Sequence, residues 1–270
     1  MGPAPGFDAP GTYDGAVREY DDAARDYWHY VSLRSVERLD LRAGERVLDV
    51  PCGTGPSLIA AAKAVGPSGH VTGIDAAPGM VAAAERRVAA SGLDTIDVRR
   101  GDMLAIEPPP APFDAVVCAL GVFFVDDMAA LVRSLLGLVG PATGRLMVSV
   151  FGEDFYEPMR TVFLQAVAEV APALAVVEPW RRTEHELTVL RLFEHAGAGH
   201  VSMVTDNDTF PIGSPADWWR IVTGSALRHT VVSLGEPAAA EVRARCDAHI
   251  ISQRITSVVT STRYASARRR

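Results

Sequence analysis

The run VLDVPCGTGPS, Val47 to Ser57, takes a short apolar strand straight into two glycines with an aspartate just ahead of them. Without a Cβ, Gly53 and Gly55 let the main chain turn tightly and approach a bound group closely. A nicotinamide-binding loop would carry a third glycine three residues after Gly55, but Leu58 stands there, and Pro56 occupies the first turn of the following helix. No Gly-Lys-Ser/Thr follows either, as a phosphate-cradling loop requires. The loop therefore reads as one that holds a ligand against backbone, with dinucleotides and triphosphates disfavoured.

Outward from this loop, apolar runs alternate with amphipathic ones. RVLDV, HVTGID, IDVRRGD, FDAVVCAL and GRLMVSVFG read as strands, while SLIAAAKAV, PGMVAAAERRVAASG and DDMAALVRSLLGLVG between them read as helices. This is the βαβ signature of a doubly wound, mostly parallel α/β sheet. The segment before it predicts one or two helices, with Tyr13, Tyr20 and Tyr27 seven residues apart. After Phe151 the alternation loosens. EPMRTVFLQAVAEVAP reads as an inserted helix, and EHELTVLRLFEHAGAGHVSMVTD resumes a helix and a strand. SPADWWRIVTGSALRHTV and EPAAAEVRARCDAHI read as two further helices, and RITSVVTSTRYASAR closes the chain as one long strand.

Three carboxylates fall at strand ends. Asp49 precedes the glycine loop, Asp75 ends the second strand, and Asp102 follows the third. The carboxyl ends of such strands form the ligand crevice, and the two oxygens of Asp75 can accept hydrogen bonds from both hydroxyls of a ribose. A crevice with three carboxylates favours a ligand with a ribose, amino groups and net positive character over a polyphosphate.

Composition bounds the class. The 270 residues, 48% hydrophobic and 22% charged, suffice for one substantial core, which predicts a single domain rather than a disordered chain. No apolar run approaches the roughly 20 residues of a membrane helix. The Gly- and Pro-rich beginning has neither a basic region nor an apolar core, so it reads as a flexible lead-in rather than a signal peptide, and the expected compartment is the cytoplasm. Cys52, Cys118 and Cys246 are odd in number and widely spaced, which predicts reduced thiols and no structural metal. A net charge of −7, with the terminal Arg268 to Arg270 as the only basic cluster, argues against a nucleic-acid partner. Lys63 is the only lysine, a bias that GC-rich bacterial coding produces.

From about Glu45 to Val150, through VLDVPCGTGPS, GIDAAPGM, GDML and FDAVVCALGVFF, the chain resembles the class I S-adenosylmethionine-dependent methyltransferases, within them the small-molecule branch similar to the ubiquinone/menaquinone C-methyltransferases. The resemblance implies a Rossmann-like, seven-stranded, mostly parallel sheet with helical cap insertions. It implies that Asp49, Gly53 and Gly55, with backbone near Cys52, surround the methionine part of S-adenosylmethionine. Asp75 would hold the ribose hydroxyls, Met80 would pack on the adenine, and Asp102 would accept from the adenine amino group with Met103 beside it. Ala119 and Leu120 would lie beneath the cofactor, facing the reactive methyl. Pro51 departs from the small residue usual in that family, without removing a ligand group.

Other candidates have both a packing and a functional reading. Tyr20, Tyr27, Trp28 and Tyr30 suit a helix face packed on the sheet, yet they precede the first strand, where the family builds a lid. Tyr27 is the best single candidate there for cation–π contact with the sulfonium. Phe123, Phe124, Phe151, Trp28, Trp218 and Trp219 are candidates to line an apolar acceptor pocket. His29, His229 and Glu153 are the candidates for a general base, should the acceptor need one. The expected layout is an N-terminal helical lid over 1–40, a cofactor-binding core over 41–152, cap insertions over 153–183 and 212–254, and remaining core elements over 184–211 and 255–268.

The expected activity is methylation of a small apolar or aromatic metabolite at O, N or C, in natural-product or quinone-type biosynthesis, with S-adenosylhomocysteine as product. The fourth strand runs into ALGVFF rather than the Asn/Asp-Pro-Pro-aromatic motif of enzymes acting on planar amino groups, which disfavours DNA, RNA and release factors. Two alternatives remain: an enzyme of the same fold catalysing a non-methylating reaction such as cyclisation, and a non-catalytic protein that binds the cofactor.

Overall fold

The computed structural model describes residues 7–23, 25–141 and 143–269, with the side chains of 22–26 outside that description. Residues 1–6 of the lead-in and Arg270 of the basic terminus therefore lie outside the described residues. Helices α1 (Ala9–Asp14), α2 (Val17–Ala23) and α3 (Arg25–Glu37) precede β1 (Arg46–Asp49). Then come α4 (Pro56–Val65), β2 (His70–Asp75), α5 (Pro78–Ser91), β3 (Ile96–Arg100), β4 (Ala115–Ala119), α6 (Met128–Leu138) and β5 (Arg145–Phe151). The second half holds α7 (Met159–Val170), α8 (Glu186–His195), β6 (Val201–Asp206) and β7 (Thr209–Pro211). It ends with α9 (Pro215–Thr223), α10 (Arg228–Leu234), α11 (Glu236–Gln253), β8 (Ser257–Val259) and β9 (Thr262–Arg268).

The main sheet has seven strands in the order β3-β2-β1-β4-β5-β9-β6. β1 to β5 pair in parallel, and β9 lies antiparallel between β5 and β6. The inner strands β1, β4 and β5 are buried along nearly their whole length, as expected of strands covered by helices on both faces. The chain order reverses between β1 and β4, and that reversal opens a crevice at their carboxyl ends.

Local chemistry sets the helix starts around this crevice. α4 begins at Gly55, with φ +86°, followed by Pro56, whose fixed φ suits the first helical position. α5 also begins with proline, but Ala77 before it offers no capping side chain. Asp14 at the end of α1 supplies the missing acceptor, taking a bond from the Gly79 N–H at 2.6 Å. This bond docks α1 onto the start of α5. α6 is capped by its own Asp127, which accepts from the Ala130 N–H at 2.8 Å.

The structure departs from the expected elements in two places. The helix read over SPADWWRIVTGSALRHTV divides into α9 and α10 around Gly224, where a Cβ would come within 2.8 Å of the Glu19 carbonyl oxygen, so α2 crosses there at backbone distance. The long closing strand is split at residues 260–261 into β8, which pairs with β7 in a separate two-stranded sheet, and β9. Ser261 sits directly over Gly152, whose N–H donates to the Ser261 carbonyl at 2.8 Å; any side chain at Gly152 would collide with Ser261. At both breaks remote segments meet at close range, a contact that residue periodicity does not register.

Candidate functional site

The carboxyl ends of β1 to β4 open into a cavity of about 400 Å³. One wall is the glycine loop. Gly53 and Gly55 both take positive φ, +54° and +86°, where a side chain is strained, and a Cβ on Gly55 would press within 3.2 Å of Ala84 Cβ on α5. Gly53 and Cys52 line the cavity, while Gly55 shapes the turn behind them.

Asp75 is 8% exposed and is held by main chain: the Gly53 N–H donates to its Oδ2 at 2.8 Å and the Ala77 N–H to its Oδ1 at 2.9 Å. Burial raises its pKa, against the lowering effect of those amides. Asp49 has no exposed surface. Its Oδ2 accepts from the Ser57 hydroxyl at 2.5 Å, and its Oδ1 has no partner. Burial first, opposed by the Ser57 bond and reinforced by the charge of Asp75, pushes its pKa to about 7. Ser57 itself lines the cavity, so the buried carboxylate stands one side chain behind the wall. An unpartnered carboxylate oxygen in such a place favours a nearby cation.

Asp102 lies at the opposite rim, where its Oδ1 accepts from the Leu104 N–H at 2.9 Å, and it lines the cavity with Met103 and the buried Met80. Ala119 and Leu120 form the floor at the end of β4. Leu120 adopts φ +53°, unusual for a residue with a side chain, and its N–H donates to the Ser149 carbonyl at 3.0 Å. The Pro51 ring packs directly on Gly121, leaving no room there for a Cβ. The unusual Pro51 is thus accommodated by a glycine 70 residues later in the chain.

The other wall is apolar and aromatic, built from Tyr13, Tyr20, Trp28, Phe124 and Phe151. Phe151 stands at the centre of a ring cluster, 5.7 Å from Trp28 and 3.8 Å from Phe155. Among the described residues, the charged side chains on the lining are Asp75, Asp102 and Asp126.

Several expected site residues are not on this lining. Tyr27 is buried behind it, its hydroxyl 2.7 Å from Thr262 Oγ1 and its ring packed on Trp28 and Phe155. Tyr13 and Tyr20, the tyrosines fourteen and seven residues earlier, line the cavity instead. Phe123 is buried beneath Phe124 and Phe151. Trp218 is fully buried, edge-on to Tyr156, and Trp219 lies under the Arg243 guanidinium. His29 does not line the cavity. His229 reaches it only through Phe7, which meets the His229 ring edge-on and stacks on Phe124. Glu153 is half exposed and pairs with His185 Nδ1 at 3.1 Å. The lining residues Tyr13, Ser57 and Asp126 carried no assignment from sequence; the position of Ser57, in the first turn of the helix after the glycine loop, was the one signal available for it.

The model of the Methyltransferase domain family matches residues 47–142, the stretch that carries the glycine loop and the three strand-end carboxylates. The chain is 35% identical over 129 residues to nocamycin O-methyltransferase of Saccharothrix syringae, covering 48% of this chain and 46% of the relative. It is 32% identical over 107 residues to demethylmenaquinone methyltransferase of Halalkalibacterium halodurans, covering 40% of this chain and 44% of the relative. The chain thus matches about half the length of these relatives. Among solved structures, the [4+2]-cyclase SpnF superposes with a TM-score of 0.55 at 20% identity, covering 89% of this chain and 80% of that one, which shows a shared fold. The segment that builds the crevice is thus the part of the chain that is similar to a methyltransferase domain.

Proposed function

We propose that the protein transfers the methyl group of S-adenosylmethionine to a small apolar or aromatic metabolite. The observation that carries this reading is one cavity with two unlike walls: backbone and carboxylates on one side, rings on the other. The residues present fit the cofactor. Asp75 suits the ribose hydroxyls, Asp102 and Met80 the adenine, and the glycine loop with the unpartnered oxygen of Asp49 the cationic methionine end. When bound, the cofactor supplies a methyl group already activated on a positive sulfur.

The protein's part is to hold the acceptor close and keep water out. The strained turn at Leu120 fixes the floor, while Phe124 and Phe151 offer an acceptor a flat apolar surface. We assign the N-terminal helices, the 153–183 segment and the 212–254 segment to a cap over this acceptor side. His29, His229 and Glu153 lie off the lining, so an acceptor that ionises on its own suits the cavity better than one needing a strong base. The names of the relatives, nocamycin and demethylmenaquinone methyltransferases, support a natural-product or quinone-type acceptor.

Among the described residues no helix is long and apolar enough to cross a membrane, and the three cysteines are buried and unpaired. Both fit a cytoplasmic enzyme. Titration calorimetry with S-adenosylmethionine and S-adenosylhomocysteine tests the reading first: micromolar binding supports it, and folded protein that binds neither sinks it. Product mass then separates methylation, which adds one methyl group, from a cyclisation, which does not.

A further inference from the structure

The turn after β4 carries part of the acceptor wall, and its backbone is held from outside the cavity. Arg182, on the short 3₁₀ helix Pro179–Thr183, places its guanidinium on three main-chain carbonyls of that turn. Its Nη1 donates to the carbonyls of Val125 at 2.5 Å and Phe123 at 3.4 Å, and its Nη2 to that of Asp126 at 2.6 Å. A planar fork grips several acceptors in one fixed geometry, which the point charge of a lysine does not do. Burial lowers the Arg182 pKa, with the charge of Asp126 opposing, and among the described residues no carboxylate pairs with it. Arg145, which clasps the Leu39 and Asp40 carbonyls where β5 begins, is by contrast also paired with Glu45 at 2.7 Å. A partly buried cation held by neutral carbonyls alone is costly to place. What it yields is a fixed turn.

That turn presents Phe124, Val125 and Asp126 to the cavity, while Arg182 itself is not on the lining. The floor beneath the cofactor, Ala119 and Leu120, precedes the clasped carbonyls and is tied separately, through the Leu120 N–H to Ser149. Two residues before Arg182, the buried Trp180 meets Phe151 edge-on at 6.2 Å. One five-residue segment thus backs both Phe124 and Phe151, the two rings offered to an acceptor.

We infer that Arg182 is a positioning residue for the acceptor: its fork on the Phe123, Val125 and Asp126 carbonyls holds Phe124 and Asp126 in place for an incoming ring. Resting on the cofactor reading above, this puts part of the acceptor affinity in a side chain outside the cavity. A wall ordered before binding spares the acceptor the entropy of ordering it. Removing the fork leaves every lining atom present but less fixed, so the loss falls on the acceptor and spares the cofactor.

Calorimetry on the whole chain separates the two, with S-adenosylhomocysteine as cofactor probe and, on protein saturated with it, 2-naphthol as ring probe. Arg182→Ala is expected to bind S-adenosylhomocysteine within about two-fold of wild type and 2-naphthol about ten-fold more weakly. Arg182→Lys, which keeps the charge and loses the fork, should show the same split. Arg145→Lys breaks a comparable clasp away from the cavity; it should lower the melting temperature and leave both affinities unchanged. Equal weakening of both probes in the Arg182 variants, unchanged 2-naphthol affinity, or a matching 2-naphthol loss in Arg145→Lys overturns the inference. Wild-type protein that binds S-adenosylhomocysteine but not 2-naphthol overturns it too, because the wall then receives no ring. Wild-type protein that binds neither is a different result: it removes the cofactor reading and this inference with it.

Discussion

The two walls of the cavity are built by different rules. On the cofactor wall, Asp49, Asp75 and Asp102 stand at or just beyond the ends of three neighbouring strands, and the sheet order alone brings them together. Main chain holds them there, through the Gly53 and Ala77 amides on Asp75 and the local turn at Asp102. On the aromatic wall, Tyr13, Tyr20 and Trp28 from the N-terminal helical segments join Phe124 and Phe151, which follow β4 and end β5, only because the N-terminal segments fold back over the sheet. The first wall is a property of topology, and the second of packing. A substitution on the first should therefore damage a specific ligand contact, whereas one behind the second should damage stability.

Replacing a fully buried ring behind the aromatic wall gives the largest expected effect. Trp218→Ala empties a site with no exposed surface and should cost about 3–5 kcal/mol of stability, read by denaturant unfolding. The cofactor affinity of the remaining folded protein should change little. A large loss of cofactor affinity without destabilisation would break the division between the walls. Asp75→Ala tests the converse. Loss of two hydrogen bonds from a charged acceptor, each worth about 1.5–3 kcal/mol, should weaken S-adenosylmethionine by 100-fold or more in calorimetry, with a smaller change in melting temperature.

Gly55→Ala sharpens the comparison, because this glycine makes the turn of the cofactor wall without lining the cavity. Positive φ and a Cβ 3.2 Å from Ala84 predict a loss of about 1–3 kcal/mol, with cofactor binding weakened through displacement of the loop. The smallest effect is a slope. Asp49, with its pKa raised to about 7, binds its proton more tightly folded than unfolded. Below the ordinary carboxylate value of about 4 both states are protonated; between about 4 and 7 only the folded state is. Its contribution therefore makes the ligand-free protein lose stability as pH rises through that window, by at most about 1.4 kcal/mol per unit. Asp49→Asn should remove that part of the slope in melts taken across pH 4 to 8, and an identical slope in the variant would show that Asp49 does not titrate there.

The cofactor wall was legible because each of its parts is local. A glycine pair after a strand, a proline starting a helix and an aspartate at a strand end are all read within a few residues, and βαβ handedness places them on one edge. The aromatic wall was legible only as a list of candidates. Trp28, Phe124 and Phe151 reached the cavity, but Tyr27, Phe123, Trp218 and Trp219 did not. Rings suit a pocket and a core equally well, and periodicity within one helix does not say where that helix ends. In the folded chain Tyr27 meets Thr262 while Tyr20 lies beside Gly53.

By itself, then, the sequence determined a doubly wound sheet, the glycine loop, and three carboxylates at one edge of that sheet. Those features follow from backbone conformation and from strand order, and both are written locally. The tertiary structure decided which residues line the cavity, that Gly121 makes room for Pro51, that Gly152 makes room for Ser261, and that Asp14 caps α5. Each of these depends on contact between segments far apart in the chain, and only the packed molecule fixes such contacts.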